Sequence, residues 1–383
     1  MTSPRVLLTV GTDTTRDTSD APRRDFTVLA ADLEATLLDR SAVERSRVAR
    51  AIQAVLGFAP AQAWLAYRRR DAFDVIVTDG EHVGIPLALL LRTSRSPVRH
   101  VTIGHRLTSR KKRLFFRVLG VQRRIDRFAL HSRRQRDVAV QKLDVRPDRV
   151  ALIPYQVDTK FWAPRPSADE RLIVSAGLEH RDYGTFFRAV TGLDAHVVVG
   201  AASHWSKHAF THAKPPENVR IGTFDYAGLR SLYARAAIVV VPLNDVDNQA
   251  GVTTILEAMS MGRPVIVTQS LGQTDVVEDR RRNARGAMRQ RPQSLARSLA
   301  TDAGIPIEPT GFYVAPGDAA GLRKAIDYLL AHPEERERLG HAGRRLADEL
   351  FTVERFAERM RALVTACVLD TSAQGFRRTV SYG

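Results

Sequence analysis

Residues 248–267 read Asn-Gln-Ala-Gly-Val-Thr-Thr-Ile-Leu-Glu-Ala-Met-Ser-Met-Gly-Arg-Pro-Val-Ile-Val. The apolar run at 237–241 ahead of them reads as a buried strand, 253–261 as a helix, and 264–268 as the next strand. Gly251 and the two threonines stand where the helix begins. Exposed N–H groups at a helix start, together with the helix dipole, make a site for phosphate that requires no metal. Glu257 lies one to two turns further along, and its carboxylate can accept hydrogen bonds from two neighbouring hydroxyls of a ribose or sugar ring. The same residues also suit an ordinary helix with a surface acid and a helix-to-strand turn at 262–264. Periodicity alone leaves both readings open.

Working outward, strands at 5–11, 73–78, 98–103, 125–131 and 150–153 alternate with helical spacing at 43–65, 83–91 and 133–143. A polar stretch at 154–169, containing Trp162-Ala163-Pro164-Arg165-Pro166, closes this pattern and reads as a linker. The pattern restarts with strands at 172–176, 195–200, 219–221, 237–241, 264–268 and 311–314. Helices are expected at 185–190, 226–236, 253–261, 319–330, 333–350 and 353–364. Strands alternating with helices predict mostly parallel sheets covered on both sides. The expectation is two α/β domains facing one another across a cleft, with ligands near the carboxyl ends of the strands. The expected boundaries are 1–158 for the first domain, 159–168 for the linker, 169–365 for the second domain, and 366–383 for a tail returning to the first. No repeat of solenoid type emerges.

With 383 residues, 44% of them hydrophobic, the chain has material for two cores. No apolar run approaches the roughly 20 residues a spanning helix needs, which predicts a cytoplasmic protein. Cys367 is the one cysteine, so neither an intrachain disulfide nor a multi-thiolate metal site can form. The formal charge of +16 rests on 51 Arg and 7 Lys and is concentrated in two zones. Residues 92–136 hold fifteen Arg or Lys and one acid, Asp126, while 280–297 hold seven Arg and no acid. Such zones attract phosphorylated small molecules, anionic lipid or nucleic acid, or form a solvated basic face.

The run from Glu257 to Ile266, Glu-Ala-Met-Ser-Met-Gly-Arg-Pro-Val-Ile, closely resembles a segment of the GT-B retaining glycosyltransferases, in particular family 4. Residues 150–363 resemble that family by motif, and the first 150 by layout. The resemblance implies the GT-B fold, two Rossmann-like α/β domains, and transfer of a sugar from a nucleotide-diphosphate donor. No cofactor or metal is implied. The counterpart of Glu257 in the family holds the nucleotide ribose, and an acid eight positions earlier contacts donor-sugar hydroxyls. Here that place is Gln249, which hydrogen-bonds but carries no charge. Gly251, Val252 and Thr253 are the implied diphosphate amides.

Residues 153–158 resemble the end of the family's first domain, and Ser175-Ala176-Gly177 with Arg181-Asp182-Tyr183 the start of its second. The family's usual arginine after the glycine is Leu178, so Gly177 and Arg181 are the candidates for gripping the diphosphate. Thr223 and Phe224 occupy the place beside the base, and 271–276 the loop after Pro264-Val265. Gly11 ends the first strand where the family often has a glycine-rich loop near the phosphates. His105, at a strand end, is the candidate histidine near the donor sugar, and Glu81 and His82 are expected to point the same way. The implied mechanism is front-face attack without an enzyme nucleophile, assigned to His105, Arg181 and Gln249. It needs no close carboxylate pair of the kind a retaining glycosidase uses.

The rival class is a noncatalytic nucleotide-sugar sensor or partner subunit, which binds but does not transfer. The acceptor is expected to be a small molecule, such as a natural-product intermediate, or a lipid-linked hydroxyl. Arg110-Lys111-Lys112-Arg113 followed by Leu114-Phe115-Phe116 reads either as an amphipathic element on anionic membrane or as part of the first domain's core. His204, His208 and His212 would share a helix face, but Pro215-Pro216 argues against a zinc site. Arg68–Arg70 and Arg280–Arg282 lack interleaved aromatics, so no sequence-specific nucleic-acid partner is expected.

Overall fold

The computed structural model describes residues 3–14, 20–107, 110–166, 169–200, 214–280 and 294–380. Two compact units divide the chain: unit 1 comprises 1–19, 24–154 and 354–383, and unit 2 comprises 20–23 and 155–353. His204, His208, His212, Arg281 and Arg282 lie outside the described residues.

Unit 1 carries strands β1 (Val6–Thr9), β2 (Thr36–Leu38), β3 (Val75–Thr78), β4 (Arg99–Gly104), β5 (Arg127–Leu130) and β6 (Val150–Leu152). They form one sheet in the order β2-β1-β3-β4-β5-β6, every pair parallel. Its helices are α1 (Asp25–Asp32), α2 (Arg40–Arg45), α3 (Arg47–Leu56), α4 (Phe58–Arg69), α5 (Glu81–Leu91), α6 (Arg110–Arg117) and α7 (Arg133–Lys142). Alternate strand residues feed opposite layers. Val6, Leu8, Val75 and Val77 pack with Leu29 of α1, whereas Leu7 and Ile76 pack with α2 to α5. Both faces are apolar because parallel strands are covered on both sides.

Unit 2 carries β7 (Leu172–Ala176), β8 (His196–Gly200), β9 (Val219–Gly222), β10 (Ile238–Val241), β11 (Val265–Thr268) and β12 (Gly311–Val314). Their order is β12-β11-β10-β7-β8-β9, again parallel throughout. Its helices are α8 (Tyr183–Val190), α9 (Tyr226–Arg235), α10 (Val252–Ser260), α11 (Leu295–Asp302), α12 (Ala319–Ala331) and α13 (Pro333–Leu350). The chain runs outward from β7 to β9 and then returns to β10 beside β7. The strand order therefore reverses between β7 and β10, the place where parallel sheets open a crevice at their carboxyl ends.

The structure places the boundaries differently from the sequence reading. The expected linker is an integral part of unit 2. Trp162 is 1% exposed in its core, and the Trp162 carbonyl accepts hydrogen bonds from Ser260 Oγ at 2.7 Å and Arg344 Nη1 at 3.0 Å. Residues 155–158 join unit 2 as well, with Val157 N–H donating to the Phe351 carbonyl at 2.7 Å. Asp158 holds Arg23 at 2.6 Å, tying residues 20–23 to the same unit. At the other end, α14 (Val353–Val380) enters unit 1 from Glu354, earlier than the expected tail. Its Phe356, Ala357, Met360, Val364 and Cys367 recur at helical spacing and pack on the sheet with β1 and β3.

Two histidines are sealed inside unit 1. His100 Nε2 lies 3.2 Å from Thr78 Oγ1, and His131 Nδ1 lies 2.8 Å from the Ile153 carbonyl. Burial first of all holds both neutral, pushing His100 down to about 4 and His131 down to about 3. In the unfolded chain both take up protons below about pH 6.5, while the folded forms do not until far lower. Their contribution to stability is thus complete above that pH and is lost as the pH falls toward the folded values. His105, whose pKa is raised, acts in the opposite sense. Urea unfolding at pH 5 compared with pH 7.5 is expected to show a loss of about 2 kcal/mol for each buried histidine. Equal stability at the two pH values would contradict this.

Candidate functional site at the switch point of unit 2

The loop after β7 and the start of α10 meet at the strand reversal. Gly177, with φ of 91°, lets the chain turn off β7, and its N–H donates to the Gly200 carbonyl at 2.9 Å. Arg181 folds back over it. Its Nε donates to the Ala176 carbonyl at 2.9 Å, its Nη1 to the Glu179 carbonyl at 2.9 Å, and its Nη2 to Thr254 Oγ1 at 3.1 Å. These bonds fix the guanidinium plane against α10. Burial lowers the Arg181 pKa, yet an arginine so placed keeps its charge at neutral pH.

Gly251 caps α10 in the left-handed region, φ 73°, and as a glycine it has no side chain to cap the amides at that end. A methyl group there would lie 2.7 Å from Val241 Cγ1 and 3.2 Å from Arg181 Nη1. Val252 is buried in the core and can serve a ligand only through its amide, whereas Thr253 is exposed. The loop preceding Gly251 is held by its neighbour. Gln273 Nε2 donates to the Ala250 carbonyl at 2.9 Å, and Leu271 N–H to Asp245 Oδ1 at 2.9 Å. Gln249 is 8% exposed, and its Oε1 has no hydrogen-bond partner among the described residues.

Glu257 stands on the same helix and accepts a hydrogen bond from Tyr233 Oη at 3.3 Å. The residue keeps part of its surface open, while its carboxyl is set among dense protein. That burial pushes its pKa up to about 8, against the opposing pull of Tyr233 and Arg181. Tyr233 is wholly buried, its ring 5.6 Å from that of Trp162. Thr223 is exposed. Phe224 turns its ring over Gly200, Gly222 and Gly228 and packs on the core.

Arg181, Gly177, Gly251, Val252 and Glu257 are thus brought to one end of unit 2 together with two residues the sequence reading missed, Thr254 and Tyr233. Thr254 was legible: it precedes Glu257 by three positions and, like Thr253 four positions before it, lies on that residue's side of the helix; of the two, Thr254 is buried and Thr253 exposed. Tyr233 carried no such signal, because only the packing of α9 on α10 brings it to Glu257.

Gly11 and His105 belong to unit 1. Gly11 follows β1, and a methyl group on it would meet nothing within 4 Å, so packing does not demand a glycine there. His105 follows β4, with its Nε2 3.4 Å from Asp79 Oδ1. Burial lowers its pKa, but the hydrogen bond and charge of Asp79 outweigh this and leave it raised. Glu81, expected to point with it, is instead buried under the loop. Its carboxylate accepts the His105 N–H at 2.9 Å and the Arg106 N–H at 3.1 Å and pairs with Lys112. Burial opposes ionisation there, yet Lys112 and these amides hold Glu81 down at about 2. His82 is exposed on the first turn of α5. Among the described residues no group of three His, Cys, Asp or Glu side chains is placed to hold a metal ion.

Residues 184–332 match the sequence model of the family described as Glycosyl transferases group 1. The chain therefore resembles that family over most of unit 2, and its two Rossmann-like units are those of the GT-B fold. A glycosyltransferase from Rickettsia africae is 12% identical, covering 96% of this chain and 99% of its own, with a TM-score of 0.65. Anabaena HepE in complex with UDP-glucose is 12% identical over 95% of this chain and 100% of its own, TM-score 0.66. Sucrose-phosphate synthase from Thermosynechococcus elongatus is 18% identical over 99% and 100%, TM-score 0.65. At these identities the likeness establishes the fold. A comparison with curated proteins finds no match.

The two glycines should respond differently to substitution. Gly251→Ala meets both a positive φ and a 2.7 Å clash and is expected to cost about 1–2 kcal/mol in urea unfolding. Gly11→Ala is expected to stay within about 0.5 kcal/mol of the parent.

Proposed function

We propose that this chain is a retaining glycosyltransferase that moves a sugar from a nucleotide-diphosphate donor to an acceptor hydroxyl. The observation that supports it most is the guanidinium of Arg181 bonded to Thr254 beside the uncapped start of α10, with Glu257 on the same helix. An arginine and free amides at a helix start suit a diphosphate, and a carboxylate on that helix suits the adjoining ribose. The family likeness across 184–332 and the UDP-glucose held by a protein of the same fold agree with this reading.

In the proposed reaction the acceptor oxygen forms a bond to the anomeric carbon on the face from which the diphosphate departs. The bond from that carbon to the phosphate oxygen breaks, and the leaving phosphate takes the acceptor proton. Negative charge grows on the leaving group, where Arg181 and the amides of 251–253 stabilise it. Positioning supplies most of the rest. Gln249 is assigned to the donor-sugar hydroxyls and His105 of unit 1 to the sugar or acceptor. Thr223 and Phe224 are assigned to the region of the base, and Gly11 to the phosphates. The acceptor is assigned to unit 1, as a small molecule or a lipid-linked hydroxyl.

Binding of a nucleotide-sugar panel by calorimetry, with transfer read by product mass, tests the scheme. Glu257→Ala is expected to weaken donor binding by about tenfold or more, as for loss of a charged hydrogen-bond partner, while folding is kept. Arg181→Ala is expected to lower the transfer rate by about a hundredfold. Unchanged donor affinity in the first, or an unchanged rate in the second, removes that residue from the site.

The raised pKa of Glu257 gives a further expectation with a definite sign. Ribose hydroxyls donate to the ionised carboxylate, so donor binding favours the deprotonated form, and affinity should rise with pH toward and through about 8. The diphosphate of a nucleotide sugar does not titrate in this range. Glu257→Gln should flatten the profile, and an identical slope in that variant would dissociate it from Glu257.

A further inference from the structure

Helix α6 is tied to unit 1 by one face. Lys112 pairs with Glu81 at the start of α5, and Phe116, four residues on, is wholly buried with its ring 6.3 Å from that of Phe128. Leu114 and Val118, also four apart, stand in water at 61% and 69% exposure, and Leu119 follows at 37%. A helix on a water-facing surface ordinarily turns its aliphatic side chains inward. Here the core accepts Phe116, and the three aliphatic residues form a ridge outside it.

Apart from Asp126, the charged residues of 92–136, the stretch that holds the ridge, are all basic. Arg117 and Arg123 are exposed beside it, and exposed Arg92 reaches from the end of α5 to the Leu119 carbonyl. The single acid within 92–136, Asp126, is engaged by Arg99 at 2.6 Å and by the His100 N–H at 2.9 Å. No carboxylate of this stretch is left to balance the arginines. Aliphatic side chains at helical spacing, framed by long cationic ones, match the boundary between acyl chains and anionic headgroups.

We propose that unit 1 rests on an anionic lipid surface through this face. Leu114, Val118 and Leu119 enter the acyl boundary, and Arg92, Arg117 and Arg123 meet the lipid phosphates. The inference stands apart from the proposed sugar transfer. It bears on it through Glu81, whose carboxylate joins Lys112 of α6 to the backbone of His105 and Arg106.

The test is cosedimentation of the full chain with vesicles of phosphatidylcholine alone and of phosphatidylcholine with phosphatidylglycerol, at low and high salt. The expected result is binding to the anionic vesicles only, with release as salt rises. Leu114→Glu with Val118→Glu, and separately Arg117→Glu with Arg123→Glu, should each weaken binding at least about tenfold while leaving the thermal unfolding midpoint in place. Equal binding to neutral vesicles, or full binding by either double variant, overturns the proposal. So does a concentration-dependent dimer that the Leu114→Glu, Val118→Glu chain loses, with no vesicle binding by the parent, which assigns the face to a second copy.

Discussion

An arginine laid across two left-handed glycines organises the end of unit 2 at which the candidate site lies. A methyl group on Gly177 would sit 2.5 Å from Arg181 Nη2, and one on Gly251 would sit 3.2 Å from Arg181 Nη1. The guanidinium therefore occupies space that any other residue at either turn would contest. Because Gly177 follows β7 and Gly251 opens α10 after β10, this one side chain bridges the loops that follow the two strands between which the strand order reverses. Its bond to Thr254 fixes the side chain against the first turn of α10, where free amides already favour an anion. The fold thus supplies the crevice, and the arginine gives that crevice its charge.

Most of this was legible in sequence because parallel sheets repeat a clear signal. Apolar runs of strand length alternated with helical spacing, and the run at 237–241 followed by 248–267 located the decisive turn. The short elements were less visible. Neither α1 nor β2 stood out, for eight and three residues leave little periodicity to read. The segment at 159–168 resembled a linker because prolines and an arginine surround its aromatic pair. In the structure Phe161 and Trp162 meet edge-on at 4.9 Å, and Arg230 stacks on Phe161. Aromatic residues in a polar stretch were the available sign that it is packed rather than free.

Individual side-chain roles were harder to read than the positions that carry them. Glu81 opens α5 just beyond the end of β3, a favoured place for ligand-facing residues in such folds, and the chemistry of a carboxylate there invites a functional reading. Its two oxygens are instead consumed by the His105 and Arg106 amides and by Lys112, which shape the loop after β4. Sequence locates such an acid at a strand end; only the surrounding donors decide whether it faces a ligand or supports a neighbour.

Gln249 precedes α10 and Glu257 lies within it, and the electrostatics of that carboxylate bear on which residue suits position 249. Burial already pushes Glu257 up to about 8, with Tyr233 and Arg181 only partly offsetting it. A second carboxylate on the loop that leads into this helix would add like charge and raise the cost of ionising either one. An amide at 249 adds hydrogen-bonding capacity without that cost, and its Oε1 is buried with no partner among the described residues. On the proposed reading, Arg181 then directs its single positive charge toward the donor phosphate rather than dividing it between two acids. The glutamine, on the same proposed reading, leaves an already burdened carboxylate able to ionise when donor hydroxyls stabilise it.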